Sequence, residues 1–266
     1  MRKIAKIMLI SLTLVLLISS LGVAAEESTL DKILDRGKLI VGTAPGYFPF
    51  EMIDDQGDVM GFDIDIAKAI AEKLDVELEV KNFQWAGVIP AIQSRKVDMI
   101  IAGMTITPER ALKVTFSESY FDTGLAMLVN KENSEVESWS DLDKDSMKIG
   151  VCLGQTSDFY AEQFFENAEI RKYQGSERLA MAVTSGKVDA GIHDEPWVLI
   201  YAKKNPKNIF ALTESRAKQS LGFALPKNDL VFKTWLDSFL TYYRQTPEYQ
   251  QAYNYWFVDM PWLETK

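Results

Sequence analysis

Three stretches of this 266-residue chain bring polar and charged side chains together in spacings suited to holding a small charged molecule. The string Ala102-Gly103-Met104-Thr105-Ile106-Thr107-Pro108-Glu109-Arg110 sets two hydroxyls and a guanidinium just past an apolar run. A guanidinium is a planar fork of donors that matches a carboxylate bidentately, and hydroxyls and backbone amides beside it complete an anion site. The plainer use of Arg110 is a surface ion pair with Glu109 or Glu118. In the second string, His193-Asp194-Glu195-Pro196, Asp194 is an acceptor-only group fit for an ammonium. Its other use is to cap a helix starting near Pro196. The third string, Gly154-Gln155-Thr156, is a turn into a helix, where free N–H groups suit an anion. A molecule with a carboxylate and an ammonium on one carbon would be gripped at both charges by Arg110 on one wall and Asp194 on the other.

Aromatic residues flank these strings. Tyr47, Phe48 and Phe50 surround Pro49, and Trp85 stands alone. Such rings are usually core, but Tyr47 and Trp85 follow strand patterns directly, and their faces suit a ligand side chain. His193 and Cys152 are each the sole residue of their type, and no Ser-His-Asp set, metal-ligand cluster or Gly-rich nucleotide loop is visible. No catalytic residue, metal or cofactor is therefore expected, and His193 reads as a packed side chain rather than a general base.

Positioning these groups requires strands that end at a common crevice. From Leu30 onward, short β-branched runs alternate with amphipathic stretches, the pattern of an α/β fold with mostly parallel sheets. Strands are predicted at 38–43, 76–81, 97–102, 148–151, 170–173, 190–192 and 221–225. Helices are predicted at 63–74, 85–95, 157–166, 177–185, 196–204 and 230–243. The polar run 131–145 reads as a surface loop opening a second domain. A weak repeat ties the halves together: Ala91–Gly103 matches Ala182–Asp194 at 6 of 13 positions, each copy a helix end, a Lys-Val-Asp turn and a buried strand. Convergence on a common connection would give such a match. Two similar sheets would also give it, each aiming a strand end at a shared crevice, where open α/β sheets bind ligands.

At the N-terminus, Arg2, Lys3 and Lys6 precede an apolar run from Ile7 to Leu21 and small residues at Val23 and Ala25. This reads as a cleaved secretory signal peptide over 1–25 rather than a membrane anchor, for the run is short for a bilayer. The lone Cys152 lies far from the cleavage point, so no lipid anchor is expected. Losing three positive charges takes the net charge from −9 to −12, which argues against nucleic-acid or anionic-membrane partners. One cysteine makes no internal disulfide, so the fold rests on its core, and 47% hydrophobic residues suffice for that.

The strings Tyr47–Met52 (YFPFEM), Gly61–Ile66 (GFDIDI), Trp85–Ile92 (WAGVIPAI), Asp98–Arg110 ending in ITPER, Phe116-Ser117 with Tyr120, Gly150–Thr156 and His193–Pro196 run in order through nearly the whole chain after residue 25. In these the sequence resembles the periplasmic amino-acid-binding proteins of ABC uptake systems, the family 3 solute-binding group. The resemblance implies two α/β lobes joined by hinge strands: 26–119 with 222–266 in the first lobe, 125–216 in the second, and hinges at 120–124 and 217–221. It also implies that Arg110 clamps an α-carboxylate, helped by Thr105 and the Gln155 and Thr156 amides. The Gly103 carbonyl and Asp194 would hold the α-ammonium, and Tyr47 and Trp85 would flank the ligand side chain.

Two departures from the family pattern bear on specificity. Ala44 stands where binders of cationic or amide side chains often carry Asp, and Cys152 where some glutamine binders place Lys. An uncharged amino acid is the expected ligand, a membrane-embedded ABC permease the expected partner, and a periplasmic monomer the expected state. The competing reading is an enzyme on the same scaffold, because cyclohexadienyl and arogenate dehydratases resemble this group, with Glu195 or His193 as the acid. A sensory ectodomain is disfavoured, since neither a membrane helix nor a signalling domain follows in this sequence.

Overall fold

The computed structural model describes residues 27–263, so the segment read as a signal peptide lies outside the described residues. The chain opens with helix α1 (Thr29–Arg36), whose N-cap Ser28 accepts a hydrogen bond from the Asp31 amide. Strand β1 (Lys38–Thr43) follows, then the short ribbon of β2 (Met52–Ile53) and β3 (Val59–Met60). Helix α2 (Phe62–Leu74), strand β4 (Glu77–Asn82), helix α3 (Trp85–Gln93) and strand β5 (Met99–Ile100) complete the first α/β run. The one-turn helix α4 (Pro108–Ala111) leads into the long strand β6 (Thr115–Asn130), which leaves this lobe for the other.

The second lobe consists of β7 (Lys148–Cys152), α5 (Thr156–Phe164), β8 (Glu169–Tyr173), α6 (Ser176–Thr184), β9 (Ala190–Asp194) and α7 (Glu195–Lys204). Strand β10 (Ile209–Leu225) returns to the first lobe, which α8 (Leu230–Tyr243) and α9 (Pro247–Tyr253) finish.

The eight main strands form one ribbon in the order β4-β1-β5-β10-β6-β9-β7-β8. At one end β1 lies parallel to β4 and β5, and at the other β7 lies parallel to β8 and β9. Between them β6 and β10 pair antiparallel and run from lobe to lobe. The expected mostly parallel sheets are thus present, and two 16- and 17-residue strands fuse them. Segments 120–124 and 217–221 lie within these strands, where Phe121 pairs with Leu221 and Thr123 with Gln219. β6 was expected only as the hinge 120–124, and β10 only as the hinge 217–221 and the strand 221–225; both extend well beyond those spans. In β10 the exposed Thr213, Glu214 and Ser215 break the apolar run, whereas in β6 the buried run 124–130 is a strand signal that the sequence reading passed over.

The repeat has a structural basis. In the first copy the Lys96 amide donates to Ala91 O at 3.0 Å and the Asp98 amide to Ile40 O at 2.8 Å. In the second the Lys187 amide donates to Ala182 O at 2.9 Å and the Asp189 amide to Lys148 O at 2.8 Å. The two Asp carboxylates repeat the match, each accepting from an amide of the neighbouring strand at 2.7 Å, Ile40 for Asp98 and Lys148 for Asp189. Strand β5 therefore sits beside β1 as β9 sits beside β7.

The run 131–145 departs from the surface loop expected of it, because Trp139 within it is fully buried and anchors the second lobe's core with Val151, Ile149 and Phe165. Val136 and Leu142, three residues to either side, are buried with it, an apolar trace too short to stand out within the polar run.

Candidate functional site

The ends of β1 and β5, the start of α3 and the segment before α4 face the ends of β7, β8 and β9 across a cavity of about 310 Å³. All eight residues singled out from the sequence line it. Tyr47, Trp85, Gly103, Thr105 and Arg110 come from the first lobe, and Gln155, Thr156 and Asp194 from the second.

Arg110 is buried within one-turn helix α4, whose N-cap Thr107 accepts from the Arg110 amide at 3.3 Å. Thr107 is thus a capping residue rather than part of the cavity wall. The Arg110 guanidinium donates from Nη1 to Thr105 O at 2.8 Å and from Nη2 to Gly154 O, on the opposite lobe, at 3.4 Å. The Trp85 ring lies 5.1 Å from the guanidinium carbon, a cation–π contact that fixes its plane. Burial lowers the guanidinium pKa to about 10, offset by Asp194 and then Glu109, so Arg110 stays cationic at neutral pH.

Asp194 ends β9 and begins α7 by position, yet its side chain makes no capping bond. It accepts instead a hydrogen bond from the Tyr47 hydroxyl across the cleft. Burial raises its pKa to about 6, against the Tyr47 hydrogen bond and the Arg110 charge, which favour the ionised form. Tyr47 therefore links the two lobes through its hydroxyl while lining the cavity. Its ring packs against His193 at 5.0 Å and covers Gly103, where an added Cβ would lie 2.2 Å from a ring carbon. Gly103 also has φ +51°, so only glycine suits that position. Trp85 likewise spends its indole N–H on Gly154 O at 3.2 Å, another contact between lobes.

His193 is buried, stacks on Trp197 at 4.5 Å and bonds Ser176 Oγ through Nε2 at 2.8 Å. The Asp194 amide donates to its Nδ1, which places the proton on Nε2. Burial pulls its pKa down to about 3, so it is neutral. Cys152 is buried as well, with its thiol pushed up to about 12 by burial, and is no thiolate. No group of His, Cys, Asp and Glu among the described residues is arranged to hold a metal.

Two further features escape the sequence reading. Glu51 lines the cavity fully buried, and one of its carboxylate oxygens, Oε2, has no hydrogen-bond partner. Burial, and then the neighbouring Asp63, push its pKa well above the ordinary carboxyl value. Asp63 itself, raised by burial to about 6, accepts from the Tyr120 hydroxyl and from the Gly103 amide at 2.9 Å. The other feature is Gln219 on β10, which accepts hydrogen bonds from Thr105 and Thr156. Glu51 lies inside a string that carries the family resemblance, and its depth was the missing information. Gln219 carried no signal, because nothing local to it distinguishes it from a surface glutamine.

Two α/β lobes on a shared pair of strands, with a cavity between them into which one lobe brings a buried guanidinium and the other a buried carboxylate, define a protein that takes up a small solute at a cleft. The chain belongs to the bacterial extracellular solute-binding proteins, family 3, whose model matches residues 39–259. It is 31% identical to the L-cystine-binding protein TcyJ of Escherichia coli over 205 residues, 77% of each chain. An ancestral arginine-binding protein bound to arginine superposes with a TM-score of 0.78 at 37% identity, covering 84% of this chain and 99% of that one. An ancestral amino-acid-binding protein, a precursor of cyclohexadienyl dehydratase, gives a TM-score of 0.80 at 39% identity over 87% of this chain and 100% of its own. These relatives are named as amino-acid-binding proteins. No helix among the described residues is long and apolar enough to cross a membrane.

Proposed function

We propose that this chain is the extracytoplasmic binding component of an ABC-type amino-acid uptake system, taking one L-amino acid between its lobes without chemical change. The observation that carries the reading is the convergence of buried Arg110 from the first lobe and buried Asp194 from the second on one cavity. In this reading the guanidinium, Thr105 and the Gln155 and Thr156 amides take the α-carboxylate. The Gly103 carbonyl and Asp194 take the α-ammonium. A ligand touching both lobes stabilises the closed form over the open one by the difference in its contacts, and a membrane permease then selects the closed form. Binding without catalysis fits the site, since His193 is neutral and held, and Glu195 lines a separate groove beside Phe121 and Tyr253. The protein acts as a monomer whose lobes hinge at 120–124 and 217–221.

For the ligand side chain, Ala44 on the cavity wall favours an uncharged group, because an ionised side chain without a partner is penalised on closure, and Cys152, buried at the end of β7, brings no charge. A second reading, a cationic side chain, is favoured by the unpartnered Glu51 oxygen on the same wall. Arginine bound to one structural relative supports it. A thermal-shift screen of all twenty amino acids with small amines and dicarboxylates tests both, because a tight ligand raises the unfolding temperature by mass action. A shift with neutral amino acids alone supports the first reading, and one with lysine or arginine the second. Stabilisation by none of them refutes the function.

A further inference from the structure

Gln219 sits at the centre of strand β10, opposite Thr123 of β6, and is buried at 6% exposure. Its carbonyl oxygen accepts two hydrogen bonds, from Thr105 Oγ1 of the first lobe at 2.6 Å and from Thr156 Oγ1 of the second at 2.9 Å. Its amide nitrogen, Nε2, is buried with no partner. One side chain on the strand joining the lobes thus holds a hydroxyl from each wall of the cavity while leaving its own two donors idle.

That arrangement has a consequence for an anionic guest. A hydroxyl has a single hydrogen, and a carboxylate is acceptor-only. With both hydrogens committed to the Gln219 oxygen, Thr105 and Thr156 offer the cavity only lone pairs, which repel a carboxylate. Turning the amide half a revolution about its last side-chain bond removes the conflict. The two Nε2 hydrogens then point at the two Oγ atoms, both hydroxyl hydrogens are freed toward the cavity, and the buried position without a partner passes from Nε2 to Oε1. The turn exchanges the amide's oxygen and nitrogen in place, so it requires no movement of either lobe.

We infer that Gln219 is a positioning residue that sets the direction of the Thr105 and Thr156 hydroxyls, its amide turning when a carboxylate arrives so that one threonine from each lobe donates to the ligand. This deepens the proposed function and rests on its assignment of the carboxylate subsite. Because the same amide bonds both lobes, it registers the carboxylate on the two walls together.

The test uses Gln219→Glu, which matches the amide in shape but when ionised can only accept, and so fixes both hydroxyls away from the ligand. Binding of the most stabilising amino acid from the screen is measured by calorimetry at pH 7.5 and at steps down to pH 5. Gln219→Glu is expected to bind more than thirtyfold more weakly than wild type at pH 7.5. The deficit should shrink as pH falls, because a protonated carboxyl regains a donor. Simple repulsion between the introduced carboxylate and that of the ligand would give a similar profile, so the pair is repeated with both threonines changed to valine. With no hydroxyls to orient, Gln219→Glu should then cost less than threefold. A penalty of undiminished size in the valine background, or one that ignores pH, overturns the inference. Gln219→Met, which neither accepts nor donates strongly at that position, guards against misfolding: its smaller loss should follow the wild-type pH profile. Failure of the wild-type chain to bind any amino acid appears before a variant is made, and overturns the underlying function instead.

Discussion

Replacing Asp194 by Asn keeps the shape of the side chain and an oxygen for the Tyr47 hydroxyl, and removes only the charge. With Asp194 at 7% exposure, solvent does little to screen the lost interaction. Truncating one member of a buried hydrogen-bonded charge pair costs about 2–5 kcal/mol, much of it the burden of the unpaired partner. The low end applies here, because the carboxamide still accepts a hydrogen bond from the ligand ammonium. An increase in Kd of about thirty- to a hundredfold is expected, at roughly 1.4 kcal/mol per tenfold. Calorimetry with the most stabilising amino acid reads this directly, and unfolding of the ligand-free variant checks that the fold persists. A folded Asp194→Asn protein whose Kd lies within threefold of wild type would refute the assignment of the ammonium to Asp194.

Arg110→Lys keeps the charge but loses the planar fork that reaches both Thr105 O and Gly154 O, so amino-acid affinity should fall at least tenfold; unchanged binding by calorimetry would contradict a bidentate clamp. The pH dependence has a definite sign: burial raises Asp194 to about 6, so the free protein carries a proton there below that pH, and an arriving ammonium expels it. Titration near pH 6 in buffers of different ionisation enthalpy should therefore show about half a proton released per ligand, with affinity declining as pH drops further. Proton uptake would reverse the assignment. Gly103→Ala would drive a methyl into the Tyr47 ring at a left-handed backbone position, for an expected loss of about 2–4 kcal/mol in urea unfolding. A loss under about 0.5 kcal/mol, the range of an ordinary surface change, would show that the ring moves aside freely.

Much of this architecture was legible because its signals are local. The helix at 230–243 and the strand at 38–43 were predicted to the residue, for each has a clean apolar period and a boundary. The eight cavity residues were legible because strand ends in an open α/β sheet converge, and the Lys-Val-Asp repeat marked two such ends. What stayed hidden depends on partners distant in sequence. The hydrogen bonds of Tyr47 and Trp85 between the lobes left no trace, because Asp194 lies 147 residues from Tyr47 and Gly154 lies 69 from Trp85. Thr105 meets Gln219 across 114 residues, and no spacing rule joins them. Glu51 shows the same limit in energetic form: how far a carboxyl's pKa rises above its ordinary value is decided by burial, which the residue's own neighbours in sequence do not set.

The claim on which the rest stands is that one guest satisfies Arg110 and Asp194 together. Calorimetry comparing the best amino acid with its decarboxylated amine and its deaminated acid isolates each half of that grip. Loss of at least a hundredfold in affinity for both analogues is expected, since each leaves one buried charge unanswered. If either analogue bound as tightly as the parent amino acid, the cavity would be recognising something other than a zwitterion.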